Sequence, residues 1–273
     1  MSFNGYQKAC ALFFAILVAF WGVLYLQDIR ETLANDVFVL LYGLMPLIGG
    51  GLALAGYRRW GGLSTILGKA ILLLGFGLFL WGAGESTYSY YNIVLHVDIP
   101  YPSIADLFFA PSVFFYTLGA IYLSITTGVG LSLKSRAGKL FAVGALAIIS
   151  VIAYYFLIVV GKDGLFISDS TNVLKTVLDV AYPLGDFISL AVSVVVAGLS
   201  FRYMNGLYKH DIMFVLAGLA AMFAADSIFS YTTTLGTAYN GDVGDLAFTV
   251  AIFLLTCGLL GFNKVKTAPA PAD

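Results

Sequence analysis

Charged residues are scarce in this sequence. Asp, Glu, Lys and Arg make up 11% of the 273 residues, whereas hydrophobic residues make up 60%. Soluble proteins carry about 25% charged residues, so the composition excludes an ordinary soluble domain. The net charge of -1 leaves no basic face for nucleic acid. The composition therefore predicts an integral membrane protein that contacts the lipid bilayer and binds no nucleic acid.

Cysteine and histidine are also rare. Cys10 and Cys257 lie inside apolar segments, and His96 and His210 lie in loops with no second histidine nearby. Two isolated cysteines cannot build a disulfide framework, and lone histidines do not indicate haem or zinc ligation inside a membrane. Sequence patterns typical of nucleotide binding, zinc proteases and serine hydrolases are missing. We therefore expect no metal and no cofactor, and enzymatic activity is disfavoured.

Long apolar runs dominate what is present. About 20 apolar helical residues cross the hydrocarbon core of a bilayer, and runs of this kind occupy residues 9–26, 37–55, 65–84, 104–126, 140–160, 174–199, 212–233 and 244–262. The first run is followed by Arg30 and Glu31 rather than by a cleavage site for a signal peptide, so we expect it to remain in the mature protein. The predicted fold class is an all-α polytopic membrane protein with eight transmembrane helices.

Basic residues predict the orientation of this protein in a cell membrane. Arg30, Lys162 and Lys175 lie on one side, whereas the opposite side carries Lys8, Arg58, Arg59, Lys134, Arg136, Lys139, Arg202, Lys209, Lys264 and Lys266. Because basic loops stay in the cytoplasm, both termini are expected there. Most acids fall on the other side, and they would attract cations or protons to the outer mouth.

Polar segments recur at a spacing of about 140 residues. The matches are AGESTYSY (83–90) with AADSIFSY (224–231), SIADLFF (103–109) with DVGDLAF (242–248) and, more weakly, LYGL (41–44) with AYPL (181–184). Chance similarity between hydrophobic helices is the alternative. We favour duplication, because polar residues carry the match.

The repeat predicts a domain organisation. Two tandem pseudo-symmetric four-helix units would cover residues 1–133 and 134–266, and the Pro/Ala-rich residues 267–273 would form a disordered tail. Because each unit has an even number of helices, both would have the same orientation, and sites shared by the two units should lie near the axis that relates them.

Two pairs of matching acids lie near the predicted outer side. Ser103 and Asp106 have the spacing of a capping box, and Asp242 and Asp245 repeat it, so helix capping is the simplest role of these residues. Capping cannot explain Glu85 and Asp226, which precede the carboxyl ends of the third and seventh segments. Hydrogen bonding to a neighbouring helix or exposure at the interface could explain them. As a site, we expect Glu85 to pair with Asp106 and Asp226 with Asp245.

The sixth segment carries a polar stripe. Its members recur at spacings of three or four and therefore share one helical face: Lys175, Asp179, Tyr182, Asp186, Ser189 and Ser193. Such a stripe is costly to expose to lipid, and Asp186 is the deepest acid. The stripe fits either an internally satisfied packing network or a ligand- or proton-binding site, and depth favours a site at Asp186.

The motif P-S-x-A-D-x-F-F, from Pro102 to Phe109, is followed by D-x-x-Y-P-x-x-D, from Asp179 to Asp186. Together they resemble the multi-helix membrane sensor regions at the N-termini of some bacterial and archaeal histidine kinases and diguanylate cyclases. The resemblance implies a sensory role over nearly the whole chain. No output domain follows the eighth segment, so we expect any signal to leave through a separate partner protein.

These patterns favour a non-enzymatic membrane sensor or ligand-binding module. We expect one outward-facing acidic and aromatic cavity that binds a small ligand, a cation or a proton. Its predicted residues are Asp186, Asp179, Tyr182, Glu85, Asp226, Asp106 and Asp245. A proton- or cation-coupled transporter or channel that uses the same acids is the alternative.

Overall fold

The computed structural model describes residues 3–97, 99–127, 129–161, 164, 172–200 and 207–263. Within these residues it contains no strand and eight long helices, which are α1 (Gly5–Leu26), α2 (Leu33–Gly56), α3 (Ile66–Tyr90), α4 (Asp106–Thr126), α5 (Arg136–Ala153), α6 (Val173–Ser200), α7 (Lys209–Thr234) and α8 (Val243–Leu260). All eight are long and apolar enough to cross a membrane, and the spans of α2, α3, α5 and α8 include the short turns that follow these helices. The predicted all-α, multi-pass membrane fold is confirmed. The predicted tail, 267–273, lies outside the described residues.

Local capping explains where the helices differ from the predicted segments. α1 begins earlier than predicted because the Gln7 backbone N–H donates to Asn4 and the Asn4 backbone N–H donates to the Gln7 side chain. The fifth predicted segment is continuous but changes geometry, since α5 ends at Ala153 and a π-helical turn follows over Tyr154–Val160. Short 3₁₀ turns at Tyr57–Trp60 and Gly62–Ser64 connect α2 to α3.

The helices α1, α2, α3, α4, α7 and α8 contribute the buried side chains of the main core of the bundle. α1 packs against α8 and α2, whereas α5 packs against α6. Small residues permit close approach: a Cβ atom added at Gly50 of α2 would lie 2.5 Å from the backbone nitrogen of Phe79 of α3. Close backbone contact at small residues is the usual way in which helices associate in lipid.

The two ends of the bundle differ in charge. We call the end at which α3 and α7 finish the acidic end, because its loops and first helical turns carry Asp28, Glu31, Asp106, Asp242 and Asp245. The opposite, basic end carries Arg58, Arg59, Lys134 and Lys209. The first turns of α4 and α8 therefore place acids where their helix dipoles favour negative charge.

Several helix contacts occur twice, with counterparts separated by about 140 residues. The pairs are Gly77 on Tyr116 with Gly218 on Leu255, Leu74 on Gly119 with Val215 on Gly258, and Ser189 on Thr117 with Gly49 on Thr256. α4 thus packs on α3 and α6 in the same register in which α8 packs on α7 and α2.

Candidate functional site

The polar stripe of α6 lies on the buried side of that helix. Asp179, Asp186, Ser189 and Ser193 are buried, and Tyr182 is partly buried. Ser189 shares a hydrogen bond of 2.8 Å with Thr117 of α4. The stripe therefore faces α4 and α7 rather than lipid.

Asp186 meets a second acid from a neighbouring helix. The carboxyl groups of Asp186 on α6 and Asp226 on α7 lie within hydrogen-bonding reach of each other. Asp186 is 6% exposed, and Asp226 lies about two helical turns before the end of α7. Two ionised carboxylates in contact repel strongly where the dielectric constant is low. The pair is therefore favourable only when a proton or a cation lies between the two groups.

A tyrosine from a third helix lies within electrostatic range of Asp226. The hydroxyl oxygen of Tyr116 on α4 is buried and has no hydrogen-bond partner among the described residues. The ring of this tyrosine packs against Gly77 of α3. A buried hydroxyl without a partner costs about 1 to 3 kcal/mol. Within the described residues, this hydroxyl therefore stands without a partner at a buried position of α4.

Tyrosine hydroxyls also donate hydrogen bonds to two acids near the acidic end, Asp106 and Asp179. The Tyr182 hydroxyl of α6 donates to Asp106 of α4 over 2.7 Å. The Tyr101 hydroxyl, in the loop before α4, donates to Asp179 over 3.2 Å. Burial, followed by the negative charge of Asp179, raises the pKa of Tyr101, so this hydroxyl remains a donor. These two bonds link α6 to α4 and to the loop before α4, between Asp186 and the acidic end.

The predicted capping box at Asp106 forms only in part. The Asp106 carboxylate accepts the Ser103 backbone N–H over 2.7 Å, as predicted, but the Ser103 hydroxyl accepts the Ala105 N–H. α4 consequently begins at Asp106, after Ala105. In the matching place, Asp242 accepts the backbone N–H of Asp245 and caps α8. Burial raises the pKa of Asp242, against the opposing effect of that backbone bond.

A second acid cluster joins α2, α3 and α8. The Tyr42 hydroxyl of α2 donates to Asp245 of α8 over 3.0 Å and also reaches the carboxyl group of Glu85 on α3. Glu85 is 5% exposed. A Cβ atom at Gly43 would lie 2.5 Å from the Glu85 side chain, so only glycine leaves room for it. The other carboxylate oxygen of Asp245 accepts the Gly241 N–H over 2.6 Å.

The second cluster continues towards the acidic end. The Tyr88 hydroxyl donates to Asn240 over 3.0 Å, and the Asn240 amide donates to Asp36 over 2.7 Å. This chain of hydrogen bonds links α3, the loop before α8 and the first turn of α2. It stabilises the end of the bundle next to Glu85.

The structure corrects the predicted pairing of the acids. Glu85 lies with Asp245 rather than with Asp106, and Asp226 lies with Asp186 rather than with Asp245. The prediction paired acids within one predicted four-helix unit, whereas α8 packs against α2 and α4 packs against α6. The acids of α8 and α4 therefore lie with those of helices from the other half of the chain.

The seven predicted site residues therefore form two groups rather than lining one cavity. Asp186, Asp226, Tyr182, Asp106 and Asp179 lie around α6, whereas Glu85 and Asp245 lie around Tyr42. Two surface grooves of about 250 and 260 Å³ lie elsewhere, beside Lys69 and beside His210, and neither is lined by an acid.

Sequence reasoning missed two tyrosines at these clusters. Tyr42 could have been found, since the weak match of LYGL with AYPL places it opposite Tyr182. Tyr116 carries no such signal, because an aromatic residue inside an apolar helix is most often a packing residue. Among the described residues, no group of three His, Cys, Asp or Glu side chains could hold a metal ion.

Comparisons with known proteins identify no relative. No protein-family model, no curated protein and no solved structure matches the chain.

Proposed function

We propose that this protein is a non-enzymatic, multi-pass membrane sensor or ligand-binding module whose ligand is a proton or a small cation held by Asp186 and Asp226. One observation carries this proposal: two acids from adjacent membrane-spanning helices lie within hydrogen-bonding reach of each other, and the unpartnered hydroxyl of Tyr116 lies within electrostatic range of Asp226. Ionisable groups at membrane depth are expensive, and they generally serve binding or proton transfer.

Occupancy of the pair would be transmitted through the helices that carry it. With a proton or cation bound, α6 and α7 are held together at Asp186 and Asp226. With the ligand gone, like charges push the two helices apart. The same face of α6 is tied to α4 by Tyr182 and Asp106, so a shift of α6 would also move α4. We propose that a separate partner protein receives this movement.

The resemblance to the membrane sensor regions of histidine kinases and diguanylate cyclases supports the sensory role. The residues of that resemblance lie together in space, since Asp106 of the first motif accepts the hydroxyl of Tyr182 of the second. Asp179, also of the second motif, accepts the hydroxyl of Tyr101, which directly precedes the first motif.

We also propose that the chain arose by duplication of a four-helix unit, with units at 1–133 and 134–266. The twice-occurring contacts of Gly77, Gly119 and Thr117 support this origin, and so do the two tyrosine–aspartate bonds, Tyr42 to Asp245 and Tyr182 to Asp106. In a cell membrane, the distribution of basic residues favours cytoplasmic termini and an outward-facing acidic end.

A proton- or cation-coupled transporter is the second candidate function. The observation that favours it is the second acid cluster, in which Glu85 and Asp245 share the Tyr42 hydroxyl. Two buried acid clusters in one bundle could pass an ion from one to the other, and sites between repeated units are common in transporters.

Infrared spectroscopy of the protein in liposomes tests the proposed site. A shared proton gives the carbonyl stretch of a protonated carboxyl group at neutral pH, and a bound cation gives this band only after sodium and potassium are removed. We expect Asp186→Asn and Asp226→Asn each to shift or remove the same band, since either change abolishes the pair. Asp28→Asn is the control, because Asp28 is exposed and paired with Arg30.

Spectra of the two variants that match the wild-type protein in every salt and at every pH would contradict the proposal. Loss of the band in the Asp28→Asn control would also contradict the assignment of the band to the pair.

A further inference from the structure

A groove between α3 and α4 lies at the basic end of the bundle. Its volume is about 250 Å³, and its lining side chains are Leu63, Lys69, Leu72, Leu73, Leu118 and Tyr122. Four of these are leucines, so the walls are mainly apolar. All six side chains are partly or largely exposed, and most belong to two membrane-spanning helices. In a membrane, lipid is therefore the molecule that reaches this groove.

Lys69 brings a positive charge into the apolar groove. Its ammonium nitrogen lies 5.9 Å from the centroid of the Tyr122 ring, which is within the range of a cation–π contact. No acid among the residues that the structure describes forms an ion pair with Lys69. The turn before α3 adds the positive charges of Arg58 and Arg59 at the same end. Because a charge in a membrane-spanning segment is costly to leave in hydrocarbon, the groove favours an anion beside Lys69.

A second groove of almost the same volume, about 260 Å³, lies in the matching place on α7 and α8. Its lining residues are His210, Met213, Phe214, Ala217 and Leu254. The register that matches Gly77 of α3 with Gly218 of α7 also matches lining residues of the two grooves, namely Lys69 with His210, Leu72 with Met213 and Leu73 with Phe214. A basic residue followed by two large apolar residues thus lines a groove on both helices. The groove is therefore a recurring feature of this helix pair rather than a local irregularity.

The depth of the lining residues matches the parts of a phospholipid. Lys69 is the fourth residue of α3, and Tyr122 lies about one turn before the end of α4, so both lie near the basic end. Leu72, Leu73 and Leu118 lie about one turn farther into the bundle. Lysine and tyrosine commonly place their polar ends among lipid headgroups and their apolar parts in hydrocarbon. The polar and apolar parts of the groove therefore follow the order of a headgroup and its acyl chain.

We propose that this groove binds an anionic phospholipid, with the headgroup phosphate at the Lys69 ammonium and an acyl chain against Leu72, Leu73 and Leu118. A zwitterionic phospholipid also carries a phosphate, but its own ammonium group compensates that charge, so the lysine favours the anionic lipid. A soluble anion would leave the apolar walls of the groove uncovered. The proposal goes beyond the function proposed above and does not depend on it.

Native mass spectrometry of the full chain in detergent micelles tests the proposal. The protein is mixed with phosphatidylglycerol or with phosphatidylcholine that has the same acyl chains, and the retained lipid is measured. We expect the wild-type protein to retain about fivefold more phosphatidylglycerol, the usual effect of one lysine at an anionic membrane surface. Lys69→Gln should lose this preference. Lys139→Gln is the matched control, because Lys139 is the exposed fourth residue of α5, also at the basic end, and lines neither groove.

A second variant tests the apolar wall. Leu118→Trp would fill the groove without a change of charge, and we expect it to retain several-fold less phosphatidylglycerol than the wild type. Phe114→Trp is its control, since Phe114 lies one turn away on α4, is 59% exposed and does not line the groove.

Four outcomes would overturn the proposal. They are equal retention of the two lipids by the wild type, a preference that survives Lys69→Gln, an equal loss of preference in Lys139→Gln, and equal retention of phosphatidylglycerol by Leu118→Trp and Phe114→Trp.

Discussion

At the scale of single residues, two tyrosine hydroxyls join helices that are distant in the chain. Tyr42 of α2 holds Asp245 of α8, and Tyr182 of α6 holds Asp106 of α4. Each hydroxyl offsets part of the free energy that is needed to place an ionised acid near the hydrophobic interior, because a donated hydrogen bond stabilises the charged form. Each bond thus ties an acid in the first turn of α4 or α8 to a neighbouring helix.

Removal of either hydroxyl should loosen the bundle by a similar amount. We expect Tyr182→Phe and Tyr42→Phe each to lower the free energy of unfolding by about 1 kcal/mol, the usual scale for a hydrogen bond between membrane helices. Unfolding in mixed detergent, followed by circular dichroism, measures this change. Tyr90→Phe is the control, because its side chain is 51% exposed. Equal stability of all three variants and the wild type would refute a structural role for both bonds.

Prediction from sequence singled out residues whose chemistry is unusual for their place. Asp186 stood out because it is an acid deep in an apolar segment, and the structure places it against another acid. Tyr116 did not stand out, because its role depends on a neighbouring helix rather than on its own segment. The partner of an acid cannot be read from one sequence, since helical spacing predicts contacts within a helix and not between helices.

At the scale of elements, length and composition predicted the helices well. Eight apolar runs became eight long helices, because a chain in lipid must satisfy its backbone hydrogen bonds within each segment. The ends were less predictable, as at Gly5 and Asp106, because capping side chains and loop turns decide them. Packing between helices then depends on small residues such as Gly50.

The close approach of α2 and α3 provides an element-scale prediction. Gly50→Ala should lower the free energy of unfolding by about 1 to 3 kcal/mol, because the added methyl group overlaps the α3 backbone. Gly51→Ala is the matched control, since a Cβ atom there meets nothing within 4 Å. Thermal unfolding of the two variants in the same detergent measures the difference. An equal effect at both positions would contradict the packing described for α2 and α3.

At the scale of the whole molecule, the arrangement of helices was the least predictable feature. Internal matches suggested two similar units, but they did not reveal that α4 packs on α6 and α8 on α2. Apolar surfaces of membrane helices are alike, and lipid supplies no hydrophobic force that would select one partner over another. For this reason the predicted pairing of Glu85 with Asp106 was wrong although both residues belong to acid clusters.

The proposed sensor and the alternative transporter differ in the access that ions must have to the acid pair. A sensor needs its acid pair to gain and lose a proton or cation from one side, whereas a transporter must open the same pair to both sides in turn. In the structure, Tyr182 and Tyr101 bond to acids between Asp186 and the acidic end. Binding therefore predicts local exchange at Asp186 without net movement of ions across the bilayer.

Flux through the purified protein in liposomes tests this central claim most directly. Proton, sodium and potassium movement would be followed for the wild-type protein and for Asp186→Asn, with equal amounts of each protein reconstituted. The account predicts that the two proteins give the same background flux for every ion. Ion movement that is clearly faster for the wild type and lost in Asp186→Asn would contradict it, and would identify the protein as a transporter or channel.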